Sequence, residues 1–309
     1  MDKTWEWKIN EHIDLIEMTV ALPALNAEKI IWLALESLKN QKDIKFKWEL
    51  ICFEEYGKSR ECIKSYIGKL PNCSRILHYN VDPNLEGRKK GELKGKYLLI
   101  DKWINIAKIT SKNSKIFVLH AADCYSPPKR LYIHYQHFKK PKCYFSTQRR
   151  GIFYNIISKK IMLYDGNYID GINKRNNKFK NDNFVETHLN MALLTSDMKK
   201  IPYVYVNKGI DGYIKDSISK LHNLNYYKRK HIYVDEFVDN DNWKYSLDTD
   251  GYNNISLRRS SYYDAIEKTT NPIGPWANIQ IQLKLNNLFD YKGMESYIPK
   301  YILEKLNIM

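Results

Sequence analysis

Side chains that can bind a polar ligand stand at the ends of three apolar stretches of this sequence. Pro23 and Asn26 follow IEMTVAL, Glu54 and Glu55 end KWELICFEE, and Asp123 ends IFVLHAAD. A carboxylate can accept hydrogen bonds from N–H and O–H groups, hold a divalent cation or take a proton from a hydroxyl group. Together these groups would suit a ligand that carries a heterocyclic base, hydroxyls and phosphates.

The elements that must position these groups alternate between strand and helix. Residues 16–22 are predicted to form a buried strand that Pro23 ends, and Asn26 is predicted to cap the helix that follows. Further strands are predicted at 47–55, 74–79 and 116–123, and helices at 59–70 and 98–110. This alternation predicts an α/β fold with a mostly parallel sheet flanked by helices. Ligands bind at the carboxyl ends of such strands, so the three polar clusters are expected along one edge.

The strand–helix alternation changes after residue 140. The segment 151–166 predicts two strands, as in a hairpin, and 165–183 and 245–260 predict loops. Helices are expected from Asp211 and over the last residues of the chain. We therefore treat 1–140 and 141–309 as two halves of one continuous domain, which the length of 309 residues allows.

Positive charge is concentrated in the segment 129–180. The chain has a formal net charge of +15, and this segment alone holds 13 Lys and Arg against two Asp. Such a face favours a polyanion or the phosphates of a small substrate, or it is a solvated surface. Basic and aromatic side chains together suit nucleic acid, whereas the same aromatics could instead pack in a core. The aromatics are Tyr132, Tyr135, Phe138, Tyr144, Phe145, Phe153 and Tyr154.

The cysteines and the start of the chain bear on the cellular compartment. The five cysteines include no CxxC pair and fit no zinc-ligand spacing, which favours reduced thiols in a cytoplasm. The opening MDKTWEWKINEHID lacks the apolar core of a signal peptide, and no run reaches the ~20 apolar residues of a membrane span. A cytoplasmic location is therefore predicted. This location includes the cytoplasm of a virus-infected host cell and the inner surface of a membrane.

Four motifs follow one another between residue 16 and about residue 220. They are VALPALNAEKIIWLALESLKNQ, WELICFEEYGKS, GKYLLIDKWINIAKI with SKIFVLHAADCYSPPKRL, and KGIDGYI. In this order they resemble the opening strand and helix, the acidic strand end, the metal-binding strand and the later acidic motif of family-2-like glycosyltransferases of the GT-A fold. The resemblance implies a GT-A-like, Rossmann-like sheet with an acceptor-side C-terminal extension. The halves 1–140 and 141–309 would then bind the nucleotide sugar and the acceptor.

The resemblance also implies a role for each matching residue. Asp123 would hold Mn²⁺ or Mg²⁺ at the two phosphates, and Asp211 would be the catalytic base of an inverting hexosyl or pentosyl transfer. The residues implied to contact the nucleotide sugar are Pro23, Asn26, Glu54 or Glu55, Lys102 and Asn105. Because Glu54 and Glu55 alternate across a strand, at most one of them is expected to face the site.

The predicted metal motif departs from the family pattern. The family carries Asp-x-Asp at this strand end, and here the sequence is Ala-Ala-Asp123. One carboxylate can hold a divalent cation together with substrate phosphates and waters, and His120 or His231 could add a ligand. His120 is, however, more typical of a buried core histidine. In the plainer interpretation Asp123 closes a turn and Asp211 caps a helix.

Three functions stay open at this stage. The first is an enzyme that transfers a sugar to a hydroxyl of a surface polysaccharide or lipid-linked glycan. The second keeps this chemistry but uses a hydroxylated DNA base, which must be flipped out of a duplex. The third is a non-catalytic nucleotide-sugar- or nucleic-acid-binding module, which the missing first Asp supports. Asn253 and Asn254 with Arg258 and Arg259 could form a phosphate-contacting flap or a surface loop.

Overall fold

A computed structural model gives the fold of the chain. It describes residues 3–9, 13–25, 27–28, 30–55, 58–81, 99–122, 124–126, 128–141, 143–146, 150–155, 161–165, 191–202, 210–223, 255–258 and 300–305. The strands are β1 (Lys3–Lys8), β2 (Ile16–Leu25), β3 (Lys47–Glu55), β4 (Cys73–Val81), β5 (Ile116–Leu119), β6 (Cys124–Tyr125), β7 (Phe145–Ser146), β8 (Arg150–Asn155), β9 (Ile161–Asp165), β10 (Ala192–Leu194) and β11 (Ile255–Arg258). The helices are α1 (Ile31–Lys39), α2 (Arg60–Lys64), α3 (Leu99–Lys108), α4 (Arg130–Phe138), α5 (Thr195–Met198), α6 (Ile210–Leu221) and α7 (Lys300–Lys305).

Seven of these strands form one mixed sheet, in the order β1-β4-β3-β2-β5-β10-β7. The four central strands β4, β3, β2 and β5 pair in parallel, whereas β1 and β10 run antiparallel to their neighbours. β7 pairs antiparallel with β10 and so runs in the direction of the central strands. Five of the seven strands therefore share one direction, which confirms the predicted mostly parallel sheet.

Helices cover both faces of this sheet. On one face, α1 packs Ile31 and Leu35 into a cluster with Val20 of β2. On the other, α3 packs Trp103 into a second cluster with Phe53 of β3. All of these side chains are at most 2% exposed, and burial of such apolar surface is the main favourable term in folding. The predicted α/β class is confirmed.

A smaller sheet has the strand order β6-β11-β8-β9. β8 and β9 pair antiparallel, which confirms the hairpin predicted for 151–166. β11 lies within 245–260, so the loop prediction is wrong for residues 255–258. This strand is formed by long-range pairing, parallel to β8 and antiparallel to β6, and composition alone does not report such pairing. Of the loop predicted at 165–183, Asp165 instead ends β9, and residues 166–183 lie outside the described residues.

Strand β2 continues to Leu25, so the predicted strand end at Pro23 is wrong. Proline lacks an N–H, which normally costs a ladder hydrogen bond. The Ala21 carbonyl accepts a hydrogen bond from the His120 N–H, so the backbone groups of Ala21 face the β5 side of β2. Pro23 is two residues further along the strand, so its backbone groups face the same side. β5 has already ended there, at Leu119, so no partner strand needs the missing donor.

Helix α1 begins at Ile31, later than the sequence pattern predicted. The N–H groups of Ile30 and Ile31 donate to the Ala27 carbonyl at 2.9 and 2.8 Å, so a turn precedes the helix. The cap position is Ile30, which has no side-chain cap, and the predicted cap at Asn26 is therefore wrong. Asn26 itself lies outside the described residues.

The remaining helix and strand bounds follow the predictions with local shifts. β3 spans 47–55 as predicted, β4 is longer than 74–79, and α3 lies inside 98–110. α2 covers only the first part of 59–70, and turns complete that segment. Within the part of the chain that the structure describes, no helix combines the length and apolarity that crossing a membrane requires.

A buried carboxylate organises the amino-terminal edge of the main sheet. Glu49 of β3 is fully buried and accepts hydrogen bonds from the Thr19 hydroxyl at 2.6 Å and the Ser111 N–H at 2.8 Å. The Ser111 hydroxyl donates to Glu49 Oε2 at 2.7 Å, and Arg75 Nη2 lies 2.6 Å from the same oxygen. These donors join β2, β3, β4 and the loop before β5, far from the carboxyl edge where ligands were predicted to bind.

We expect Thr19→Val to lower the free energy of unfolding by about 1–3 kcal/mol, because it leaves the buried Glu49 one donor short. Valine keeps the shape of threonine, so little packing is lost. Urea unfolding followed by circular dichroism measures the change, with an unchanged slope on denaturant. A change below about 0.5 kcal/mol, the size typical of surface substitutions, would show that the network does not stabilise this edge.

Candidate active site

The carboxyl ends of β2, β3 and β5 lie side by side at one edge of the main sheet. Ala24 of β2 lies in register with Glu54 of β3, and Ala21 lies in register with Leu119, the last residue of β5. Parallel pairing brings these ends together because all three strands run in the same direction. The polar groups predicted after β2 and β3 therefore share an edge with the segment that follows β5.

Glu54 is fully buried and ties the turn after β3 to β4. Its two carboxylate oxygens accept the Ser59 N–H at 3.2 and 3.4 Å, and Oε2 lies 2.8 Å from His78 Nε2. Trp5 of β1 stacks on the His78 ring, with the Arg60 guanidinium over the indole. Sequence reasoning missed His78 as a partner of Glu54, because this contact depends on the pairing of β3 with β4.

Glu55 lies next to α3, where it meets Lys102. The Lys102 ammonium is 3.1 Å from Glu55 Oε2 and donates to the Ala24 carbonyl at 3.0 Å. Glu55 is fully buried and Lys102 is 3% exposed. Burial lowers the pKa of Lys102, and the Glu55 carboxylate opposes that shift. Lys102 thereby joins the ends of β2 and β3 to α3.

Two other residues predicted at the donor site, Pro23 and Asn105, lie close by along the same elements. Pro23 is buried near the end of β2. Asn105 is half-buried on α3, three residues after Lys102, and this spacing places both side chains on one side of the helix. The structure thus gathers Pro23, Glu54, Glu55 and Lys102 at one edge, with Asn105 one helical turn away.

The chain turns directly after β5, at the segment that carries Asp123. The predicted strand 116–123 ends at Leu119, and the Cys124 N–H donates to the Ala121 carbonyl at 3.3 Å. Ala121 and Ala122 are each 8% exposed, and Cys124 is buried. Asp123 itself lies outside the described residues.

His120 has the environment of a buried core histidine. Its Nδ1 lies 3.0 Å from the Ala121 carbonyl, and its Nε2 lies 3.2 Å from both the Ser37 and Ser126 hydroxyls. Burial, and then the positive charge of Arg130, lower its pKa well below the usual value. Both ring nitrogens therefore already have hydrogen-bonding neighbours.

Asp211 is the second residue of α6, so it lies in the first turn of that helix rather than at the N-cap. The helix packs Ile214 and Ile218 into the core cluster that also contains Trp103 of α3. An acidic residue in a first turn interacts favourably with the helix dipole. The side chain of Asp211 lies outside the described part of the structure.

Two further predictions fall largely outside the described ranges. Among the residues that the structure describes, no group of three or more His, Cys, Asp or Glu side chains could hold a metal ion. Asp123 and His231 lie outside the described residues, so this statement does not cover them. Of the proposed flap, Arg258 lies in β11, and Asn253, Asn254 and Arg259 are not described.

The basic segment 129–180 does not form one continuous exposed face. Arg130 is fully buried, and its Nε donates to His134 Nε2 at 3.3 Å. His134 Nδ1 and His137 Nδ1 lie 2.8 and 2.6 Å from the Ser146 hydroxyl. Burial lowers the pKa of Arg130 to about 10 and that of His137 to about 4. The surface interpretation is therefore wrong for Arg130, which belongs to a buried polar cluster that sequence reasoning missed.

Among the described aromatic residues of this segment, one is buried and four are half-buried against the core: Phe145, and Tyr132, Tyr135, Phe138 and Tyr144. Phe145 is 2% exposed, and Tyr135 stacks on Phe46 with ring centroids 4.0 Å apart. Tyr144 stacks on the His222 ring. This favours the core alternative over a stacking surface for bases. The side chains of Phe153 and Tyr154 are not described.

Comparison with known proteins gives matches among solved structures only. No family model and no curated protein matches the chain. Among solved structures, S. aureus TarS 1–349 in complex with UDP-GlcNAc matches with a TM-score of 0.44 and 11% identity, over 94% of this chain and 73% of that chain. Glucosyl-3-phosphoglycerate synthase from Mycobacterium tuberculosis matches with 0.38 and 15% identity, over 70% and 71%. Mouse xyloside xylosyltransferase 1 matches with 0.34 and 12% identity, over 74% and 80%.

The alignments also differ in how much of each structure they cover. For two further TarS structures, the match spans only 55% and 47% of the solved chain. At TM-scores below 0.5, these likenesses do not assign the chain to a family or an activity.

Proposed function

We propose that this protein is a GT-A-like glycosyltransferase that moves a hexosyl or pentosyl group from a nucleotide sugar to a hydroxyl acceptor. One observation carries the proposal. The ends of β2 and β3, with Glu54, Glu55 and Lys102, share an edge with the segment after β5 that bears Asp123. The order of the four sequence motifs supports the same assignment.

The donor would bind across the ends of β2 and β3. In this proposal, residues 23–26 line the nucleotide, and Glu54 or Glu55 accepts a hydrogen bond from its base or ribose. A carboxylate offers about four lone-pair positions, so one carboxylate can accept hydrogen bonds from several donors. The Lys102 side chain at this edge would contribute positive electrostatic potential, which attracts a diphosphate. Asn105 would contact the sugar.

The chemical step would be direct displacement at the anomeric carbon with inversion. Asp211 at the start of α6 would accept the proton of the attacking hydroxyl. Asp123 is the residue that would hold Mn²⁺ or Mg²⁺, and such an ion would neutralise charge on the departing diphosphate. A single carboxylate suits an ion held mainly by phosphate oxygens and waters.

The acceptor is a glycan hydroxyl in this proposal, and the half 141–309 would bind it. A hydroxylated DNA base is the second acceptor, supported by the exposed lysines of 129–140. The stacking of Tyr135 on Phe46 and of Tyr144 on His222, with the burial of Phe145, weakens the DNA alternative, because rings that are already stacked or buried are less available to bases. Steep loss of acceptor binding with salt would favour DNA, and a flat response would favour a neutral glycan.

A panel of nucleotide sugars tests the donor site directly. We expect one of them, at about 100 times its dissociation constant, to add about 2.7 kcal/mol to the free energy of unfolding. Asp123→Asn keeps the size of the side chain but weakens metal binding, so it should reduce only the part of the shift that requires Mn²⁺. Thermal unfolding with and without Mn²⁺ measures both effects. If no nucleotide sugar shifts the transition, the proposed function is wrong.

The alternative is a non-catalytic module on the same fold. Its support is the Ala-Ala-Asp123 sequence, since Ala121 and Ala122 supply no ligand oxygen from a side chain. Stabilisation by a nucleotide sugar without any hydrolysis or transfer, with Mn²⁺ and candidate acceptors supplied, would favour this alternative. Turnover of the donor would exclude it.

A further inference from the structure

The segment 120–126 leaves the end of β5 and returns to the core at Ser126, with Asp123 in its middle. Both of its ends are buried, and each contacts side chains from other elements. A seven-residue turn of this kind would be mobile if it were held only by its own backbone. What holds it therefore decides how well Asp123 is positioned.

Arg130 of α4 joins the two ends of this segment. Its guanidinium donates to the Leu119 carbonyl, the last residue of β5, and to the Ser126 hydroxyl at 2.8 Å. The same guanidinium donates to His134 Nε2. A planar guanidinium has five N–H donors in a fixed geometry, so it can hold several acceptors at set distances.

A second set of contacts fixes the same segment from the side of α1. His120 Nε2 lies 3.2 Å from both the Ser126 and the Ser37 hydroxyls. Tyr125, two residues after Asp123, accepts a hydrogen bond from the Asn40 side chain at 3.3 Å. Arg130, His120, Ser37 and Ser126 are all at most 1% exposed, so water competes little for these hydrogen bonds.

We propose that Arg130, acting with Ser126 and His120, is a positioning residue that ties the two ends of the 120–126 turn together and so limits local opening of the turn, on which the metal-binding role proposed for Asp123 depends. The role of the rigid turn in catalysis rests on the proposed function. The rigidity itself does not, because it follows from the contacts of Arg130 with Leu119 and Ser126. Arg130 does not touch the reacting atoms in this proposal.

Cys124 is a built-in reporter of this rigidity. It follows Asp123 directly, is 1% exposed and takes part in no disulfide. Cys73 lies at the opposite edge of the main sheet, at the start of β4, and is also buried. A thiol reagent can label a buried cysteine only when the protein opens around it, so the two rates compare local opening at the two edges.

We expect Arg130→Met to raise the native-state labelling rate of Cys124 by about tenfold, since hydrogen bonds to a charged group are lost there. The rate at Cys73 should stay unchanged. Arg130→Lys keeps the charge but cannot hold both acceptors, and should give an intermediate rate. Thr19→Val is the matched control, because it weakens the amino-terminal edge and should leave Cys124 protected. Peptide mass spectrometry after timed labelling measures each rate.

The outcomes separate this proposal from the proposed function. An unchanged rate at Cys124, or equal increases at Cys124 and Cys73 in Arg130→Met, would overturn the rigid turn. With a donor that turns over, Arg130→Met should lower kcat by about tenfold with little change in KM, whereas Thr19→Val should change neither. Faster labelling with unchanged kcat would overturn the positioning role. If no nucleotide sugar binds the wild-type protein, the proposed function fails and labelling alone decides whether Arg130 holds the turn.

Discussion

Replacing Lys102 with methionine should lower the free energy of unfolding by about 3–5 kcal/mol. The substitution removes the ammonium that lies 3.1 Å from the fully buried Glu55 carboxylate and donates to the Ala24 carbonyl. Methionine is similar in length to lysine, so the volume change in the core is small. The cost therefore comes from a buried charge that has lost its counter-ion.

Two control variants test whether the unpaired charge of Glu55 causes the loss of stability. The double variant Lys102→Met/Glu55→Gln carries no charge at this position, and we expect it to recover much of the stability that Lys102→Met loses. Lys39→Met removes one partner of the exposed Lys39–Glu36 pair, in which Lys39 is 40% exposed, and should change stability by less than about 1 kcal/mol. Urea unfolding at pH 7.5 compares the variants. A Lys102→Met effect no larger than that of Lys39→Met would contradict the assigned role.

The main sheet was predictable because its central strands contain short apolar runs. LICF at 50–53 lies at the centre of KWELICFEE, the strand predicted and observed at 47–55, and a strand buried on both faces is expected to carry such a run. β1 was missed, although in KTWEWK Trp5 and Trp7 are half-buried while Glu6 and Lys8 are exposed. Such an edge strand exists through pairing with β4, which lies more than 60 residues away in sequence.

The candidate site was predictable in its position but not in its internal contacts. The period of two along a strand predicts that Glu54 and Glu55 separate, and they do, toward His78 and Lys102 respectively. His78 could not be identified as a partner before the register of β3 and β4 was known. Carboxylates that sequence reasoning assigned to a ligand therefore also hold the strand ends together.

The burial of Arg130 shows a different gap in sequence reasoning. A run of lysines and arginines gives a net charge, but it does not say which members face the core. The helical spacing of Arg130, His134 and His137, at i, i+4 and i+7, does place them on one side of α4. That pattern, rather than the charge count, was the signal that could have identified the buried cluster.

The buried histidines of this cluster should make the protein unstable in mild acid. Burial lowers the pKa of His137 to about 4, with Lys140 adding to the shift. Burial, then the charges of Arg130 and His137, lower the pKa of His134 well below its usual value. In the unfolded chain both residues bind a proton near pH 6.5. The unfolded state therefore binds more protons below that pH, and stability that is intact above pH 6.5 is lost as the pH falls.

For His137 alone, the loss amounts to about 2 kcal/mol between pH 7.5 and pH 5, because each pH unit below 6.5 costs about 1.4 kcal/mol until the folded pKa is reached. His134 should add to this loss. Urea unfolding at pH 7.5, 6.5, 5.5 and 5 measures the dependence. This window lies above the range in which most carboxylates titrate, so the slope reports mainly on histidines.

His137→Gln tests the assignment, since glutamine can still donate to the Ser146 hydroxyl but takes up no proton in this range. We expect the variant to be less stable than the wild type at pH 7.5 and to lose less stability on going to pH 5. His134→Gln should behave in the same way, because its ring also contacts Ser146. A wild-type free energy of unfolding that stays constant from pH 7.5 to pH 5 would mean that these histidines accept protons without disturbing the core. The cluster around Arg130 would then have to be open to water, contrary to its burial.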